Sequence, residues 1–121
     1  MRVTGLGFRR GASAESLRAA IALVGLGEAL ATAEDKLAEP GLVRLAQDLG
    51  LRVVGVSRHD LSAQGIAGSA RVIAAYGTGS VAEAAALAAA GPGARLVAAK
   101  RRGPDGMAVA ALAETDVKEQ A

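Results

Sequence analysis

Apolar and polar positions follow two rhythms along this chain, and each change of rhythm marks an element. Val3-Thr4-Gly5-Leu6-Gly7-Phe8 predicts a short strand, with Arg9-Arg10-Gly11 as the turn beyond it. Ser13 then caps a helix reaching about Leu26, with Leu17, Ile21 and Val24 on its apolar face and Gly25 and Gly27 weakening its end. Ala29 to Ala33 predicts a second short strand, and Glu34-Asp35-Lys36 a charged loop. Glu39-Pro40-Gly41 opens a second helix, because proline is tolerated in a first turn. Leu42, Leu45, Ala46 and Leu49 recur at the helical period, and Gly50 ends the run. Arg52-Val53-Val54-Gly55-Val56 is a β-branched run of the kind buried in a parallel sheet.

Residues 57–76 carry the weakest pattern, consistent with a short helix from His59 to Gln64 and a strand from Arg71 to Tyr76. A polar, glycine-rich turn at Gly77-Thr78-Gly79 then runs into the alanine-rich helix that starts at Ser80, and Gly91-Pro92-Gly93 breaks it. Arg95 to Ala99 and Met107 to Leu112 flank Arg101-Arg102-Gly103-Pro104-Asp105-Gly106, which reads as a hairpin with a basic arm. Strands alternating with helices and closed by one hairpin predict an α/β fold. The expected architecture is a single-domain three-layer sandwich over residues 1–115, mostly parallel with a C-terminal antiparallel hairpin. Residues 116–121 form a charged, frayed tail in this reading.

Composition narrows the classes open to such a domain. Hydrophobic residues make up 51% of the 121 positions, which excludes disorder as the default. No apolar run approaches the roughly 20 residues of a membrane span, and the early glycine in Met1-Arg2-Val3-Thr4-Gly5 argues against a signal peptide. The chain has no cysteine, which removes disulfides and thiolate chemistry and fits a cytoplasmic protein. Net charge is only +2, so the placement of the basic residues matters more than their sum. With one Phe and one Tyr there are no stacking platforms for single-stranded nucleic acid, and no recognition-helix signature points to duplex DNA. Neither a nucleic acid nor a membrane is the expected partner.

The turn before Ser80 is the clearest candidate for chemistry. Ser80 stands at the N-cap and Glu83 follows at capping-box spacing, which would leave the backbone N–H groups of Gly79 and Ser80 beside the positive end of the helix dipole, ready for a carboxylate or phosphate. Most such turns only start a helix. Here Arg9-Arg10, Lys36 and Lys100-Arg101-Arg102 each follow a predicted strand, so a parallel sheet would bring them to the same edge, where open α/β sheets bind ligands. Taken singly, each reads better as an ordinary solvated loop charge; only their recurrence after strands puts a shared site on an equal footing. Gly5-Leu6-Gly7 lacks the third glycine and later acidic residue of a dinucleotide fingerprint, and no Walker lysine follows. His59, the only histidine, sits beside Asp60 as adjacent helix residues that do not face each other, so a helix-start role is the simpler one. One His and no Cys make a transition-metal site hard to build, and no metal or cofactor is expected.

Together these segments resemble a known family. Gly5-Leu6-Gly7-Phe8-Arg9-Arg10-Gly11-Ala12-Ser13-Ala14-Glu15 resembles the opening of the CobE family, which matches the C-terminal domain of CbiG; both belong to cobalamin (vitamin B12) biosynthesis. Lys36-Leu37-Ala38-Glu39-Pro40-Gly41-Leu42 is similar to that family's Lys-x-x-Glu-x-Gly-Leu stretch. Ser80-Val81-Ala82-Glu83-Ala84-Ala85-Ala86-Leu87 is similar to its most distinctive block, and Lys100-Arg101 to the pair that closes the following strand. The chain departs from the pattern at Gly79, where the family often has proline, and between Ser57 and Tyr76, where no family pattern aligns.

The resemblance implies a role in building the corrin ring. Its substrates would be precorrins, apolar macrocycles carrying many acetate and propionate arms. Arg9, Arg10, Lys36, Lys100 and Arg101 would pair with those carboxylates, and Gly79 and Ser80 would add backbone donors. If the domain is an enzyme, the implied activity is that of a cobalt-precorrin-5A hydrolase, which opens a ring lactone, with Glu39 or Glu83 as the acid or base. The alternatives are a carrier that holds an unstable corrin intermediate unchanged, or a subunit of a complex with other enzymes of the pathway.

Overall fold

The structure is a computed structural model and describes residues 1–68 and 70–116. Five strands form one sheet in the order β3-β2-β1-β5-β4. They are β1 (Arg2–Phe8), β2 (Ala29–Ala33), β3 (Val53–Val56), β4 (Arg95–Arg102) and β5 (Ala108–Glu114). β1 pairs with β2, and β2 with β3, in parallel; β5 is antiparallel to both β1 and β4. Four of the five strands therefore run the same way, and the expected sandwich with a C-terminal antiparallel hairpin is the observed fold.

Helices α1 (Ala14–Ala22) and α2 (Pro40–Leu49) cover one face. Leu6, Leu17, Leu30, Leu42 and Leu45 meet there, none more than 1% exposed, and each contributes about 1.5–3 kcal/mol by leaving water. Helices α3 (Arg58–Ser62), α4 (Ala70–Tyr76) and α5 (Val81–Ala90) lie in the connection from β3 at one edge to β4 at the other. α5 crosses the second face with Ala82, Ala84, Ala85, Ala86 and Ala90 buried. Gly5 makes this close approach possible: a Cβ there would lie 2.8 Å from the Ala86 nitrogen and would overlap the Ala82 carbonyl oxygen. Glycine in the first strand thus serves helix-on-sheet packing.

Several expected elements change once the sheet assembles. α1 stops at Ala22 instead of about Leu26, because the buried Thr4 hydroxyl donates to the Gly25 carbonyl and accepts from the Gly27 N–H, diverting the chain into β2. β3 is an edge strand, mostly half-buried, and not the fully buried strand its composition implied. The segment from Arg71 to Tyr76, expected as a strand, is helix α4, which pairs with no strand of the sheet and has no fully buried residue. The helix expected over His59–Gln64 starts at Arg58 and ends at Ser62, capped by Ser57. β4 runs three residues past Ala99, so Lys100, Arg101 and Arg102 belong to the strand rather than following it. Of the charged tail, Asp116 faces Arg95 at 3.8 Å, and residues 117–121 lie outside the described residues.

Lys36 is the clearest change of environment. It is 8% exposed, not a solvated loop charge, and it sits in a short 3₁₀ turn after β2. Its ammonium donates to the Phe8 carbonyl and lies 4.8 Å from the centre of the Phe8 ring. Burial lowers its pKa, against the opposing pull of Asp35. No single helix among the described residues is long and apolar enough to cross a membrane.

A candidate carboxylate-binding cleft

The first two crossovers carry the chain outward from β1 to β3, and the third returns past β1 to the far edge. The connections therefore part at β1 and β5, the place where open α/β sheets leave a crevice. A cleft of about 460 Å³ lies there. Gly7, Phe8 and Val109 line its sheet side, and Ser80, Val81 and Ala82 bring in the start of α5. Arg9 follows β1, while Lys100 and Arg102 project from β4. Gly106 and Met107 come from the β4–β5 turn, and Val72 and Tyr76 of α4 form the remaining wall. A second groove, of about 360 Å³, runs between Asp60, Gln64 and the end of α5, and has no basic residue in its lining.

Of the residues read from the sequence as binding groups, the cleft gathers Arg9, Gly79, Ser80 and Lys100. Three others lie elsewhere. Arg10 is paired with Glu39 at 3.0 Å, and Lys36 is turned to the Phe8 carbonyl. Arg101 pairs in register with Ala110, whose side chain belongs to the α1 side of the sheet, while Arg102 pairs with Val109 on the cleft side. Irregular pairing between Ala98 and Arg101 sets which basic side chain faces which layer. Arg102, Tyr76 and Val72 are lining residues that sequence reasoning did not select. The Lys-Arg-Arg run contains Arg102, but strand periodicity alone could not choose a face across a bulge.

The α5 start is built differently from the expected anion turn. Ser80 caps the helix, accepting from the Glu83 N–H at 3.2 Å. The Gly79 N–H, however, donates to the Ile66 carbonyl at 2.9 Å, and the Ser80 N–H reaches the Thr78 hydroxyl at 3.3 Å. Neither is left as a donor for a ligand. The reason is packing: Gly79 and Gly68 cross backbone to backbone, with no room for a Cβ on either. The Glu83 carboxylate does not complete a capping box; it accepts from the Lys100 N–H at 2.9 Å and ties α5 to β4. Ser80→Ala is expected to cost about 1 kcal/mol of stability through the lost cap, and to weaken ligand binding because Ser80 lines the cleft. Unfolding and titration on one preparation check this; a loss of stability with unchanged affinity would make the residue purely structural.

Two carboxylates brace the rim from outside. Glu39 accepts from the Gly11 N–H and from Arg10, each at 3.0 Å, and the Gly11 bond first, then the guanidinium, holds its pKa below the ordinary value. Asp105 accepts from the Ser16 hydroxyl and the Met107 N–H, which lower its pKa and pin the β4–β5 turn. Groups whose folded pKa is depressed stabilise the protein above their ordinary values, here 4.5 and 3.8, and that stability is lost as pH falls through the folded values. Glu39→Gln with Asp105→Asn should therefore lower stability in the neutral range, change it little at the acid end, and so flatten the acid limb. Urea midpoints between about pH 3 and pH 7 measure it. On the cleft wall, burial and the facing Asp35 carboxylate raise the Tyr76 pKa, keeping the phenol protonated at neutral pH.

Comparison with known proteins identifies the fold and the family. Residues 2–113 match the family model described as "Cobalamin synthesis G C-terminus". The crystal structure of CobE, described as a protein from the cobalamin (vitamin B12) biosynthetic pathway, superposes with a TM-score of 0.82 at 36% identity, covering 97% of this chain and 95% of that one. The cobalamin biosynthesis protein chiG from Agrobacterium tumefaciens str. C58 superposes with a TM-score of 0.71 at 35% identity, covering 97% of this chain and all of that one. No curated protein matches. With the family's sequence pattern and its fold both present over nearly its whole length, the chain belongs to the CobE and CbiG C-terminal family of cobalamin biosynthesis proteins.

Proposed function

We propose that this domain binds a polycarboxylated precorrin or corrin intermediate in the cleft between β1, β4, α4 and the start of α5. The observation that carries the reading is the convergence of Arg9, Lys100 and Arg102 around a largely apolar lining at the point where the sheet's connections part. An apolar macrocycle with carboxylate arms matches both components. Visible-absorbance titration with a hydrogenobyrinic-type pigment tests it: a saturable spectral change and co-elution on gel filtration are expected. Neither change nor co-elution at micromolar pigment would overturn it.

Binding without transformation is the better supported form of this reading. Glu39 and Glu83, the carboxylates available for acid or base work, lie outside the cleft lining and are engaged by Arg10, Gly11 and Lys100. His59 is exposed on α3 and also lies outside it. That arrangement supports reading the domain as a carrier that returns its pigment unchanged and acts with other enzymes of the pathway. The competing reading is a lactone-opening hydrolase. Mass spectrometry of a lactone-bearing precorrin after incubation separates the two, since gain of water with release of a two-carbon fragment belongs only to the hydrolase.

A further inference from the structure

We propose that the cleft grips its ligand by one edge, pairing the carboxylates of that edge and leaving those of the opposite edge in water. This inference rests on the proposed binding of a polycarboxylated macrocycle and adds the orientation in which it is held.

The cations of the cleft are segregated. Arg9, Lys100 and Arg102 come from the sheet side, at the ends of β1 and β4. The facing wall contributes Val72 and Tyr76, which carry no positive charge. Near Tyr76 the Asp35 carboxylate, which raises the phenol's pKa, outweighs the Arg10 guanidinium, which lowers it and is already paired with Glu39, so the α4 side is the less favourable one for an anion. Of the basic residues at α4, Arg71 is exposed and outside the cleft lining, and Arg58 is already spent on the Ala75 carbonyl at 2.8 Å.

Size leads to the same orientation. About 460 Å³ suits a drug-sized ligand, whereas a tetrapyrrole with arms on every ring is considerably larger. A carboxylate drawn into this cleft without a partner would lose its hydration for nothing, at a cost of several kcal/mol. The arms that reach the sheet-side cations gain charge-assisted hydrogen bonds, and the remaining arms are more stable outside. The apolar ring edge then lies against the apolar residues of the lining, Val72, Val81, Met107 and Val109.

Zero-length coupling tests this orientation. Hydrogenobyrinic acid, bound to the whole chain, is treated with a water-soluble carbodiimide, which joins a carboxylate to a lysine amine in contact with it. A pigment adduct mapped to Lys100 is expected. Lys100→Arg keeps the charge and cannot form that amide, so the adduct should disappear when the variant is saturated with pigment. In a second arm an added small amine labels whatever carboxylates remain accessible. One edge should react about tenfold more slowly than in free pigment, as expected for a carboxylate held by a charged hydrogen bond, and the opposite edge at about the free rate. Uniform protection of every carboxylate would show an enclosed ligand and overturn the proposal, as would uniform free-rate labelling with no Lys100 adduct. A pigment that fails to bind at all would instead overturn the proposed function, and the orientation with it.

Discussion

Gly5→Ala is expected to destabilise the protein by about 3 kcal/mol or more, toward the upper end of overpacking substitutions. The added methyl would overlap the Ala82 carbonyl oxygen and approach the Ala86 nitrogen to 2.8 Å and its Cβ to 2.9 Å. Two of these three atoms are backbone, so no side-chain rotation can make room; α5 would have to lift from β1. Lifting it would also move Val81 and Ala82 at the cleft's edge. Gly7→Ala is the matched control. Its Cβ would meet Val81 and Ala82 atoms no closer than 3.4 Å, an ordinary contact, so the cost should stay below about 1 kcal/mol. Urea unfolding of both variants decides the matter. Equal, small losses at the two positions would mean that α5 does not sit on β1 as described.

Replacing Lys100 and Arg102 together by alanine should weaken pigment binding about a hundredfold, since a hydrogen bond to a charged group is worth roughly 1.5–3 kcal/mol and two are removed. Affinity of the unaltered protein should also fall steeply with salt, because exposed ion pairs are screened over about 10 Å at 0.1 M. Two single substitutions give the comparison. Arg101→Ala removes the same charge from the same strand but from the face of Ala110, and Arg52→Ala removes it from just ahead of β3, at the other end of the strands. Both should leave affinity within about twofold if position, and not net charge, governs binding. Equal losses in all variants would remove the cleft assignment while leaving the fold untouched.

The contrast between Arg101 and Arg102 also shows where sequence reading reaches its limit. Ser13 capping α1, Ser80 capping α5, Gly50 closing α2 and the leucine spacing along α2 are all visible in the chain, because each acts over a few residues whose local geometry is nearly context-free. The succession of strands and helices, and with it the α/β class, follows from such signals. So does the family, whose residues occur in order along the chain.

The tertiary structure decided which residues those elements bring together. The Lys-Arg-Arg run divides between two layers because β4 pairs irregularly with β5, a partner that lies beyond the turn. Lys36, charged and loop-like in sequence, is buried because parallel pairing sets the end of β2 against the Phe8 carbonyl. Gly79 loses its free N–H to Ile66, a residue with no recognisable pattern of its own. Residues 70–76 are apolar enough for a strand, yet they join no edge of the sheet and wall the cleft as a helix instead. Caps and periodicity depend on neighbours along the chain. The face a charge occupies depends on register, and register is set by residues tens of positions away.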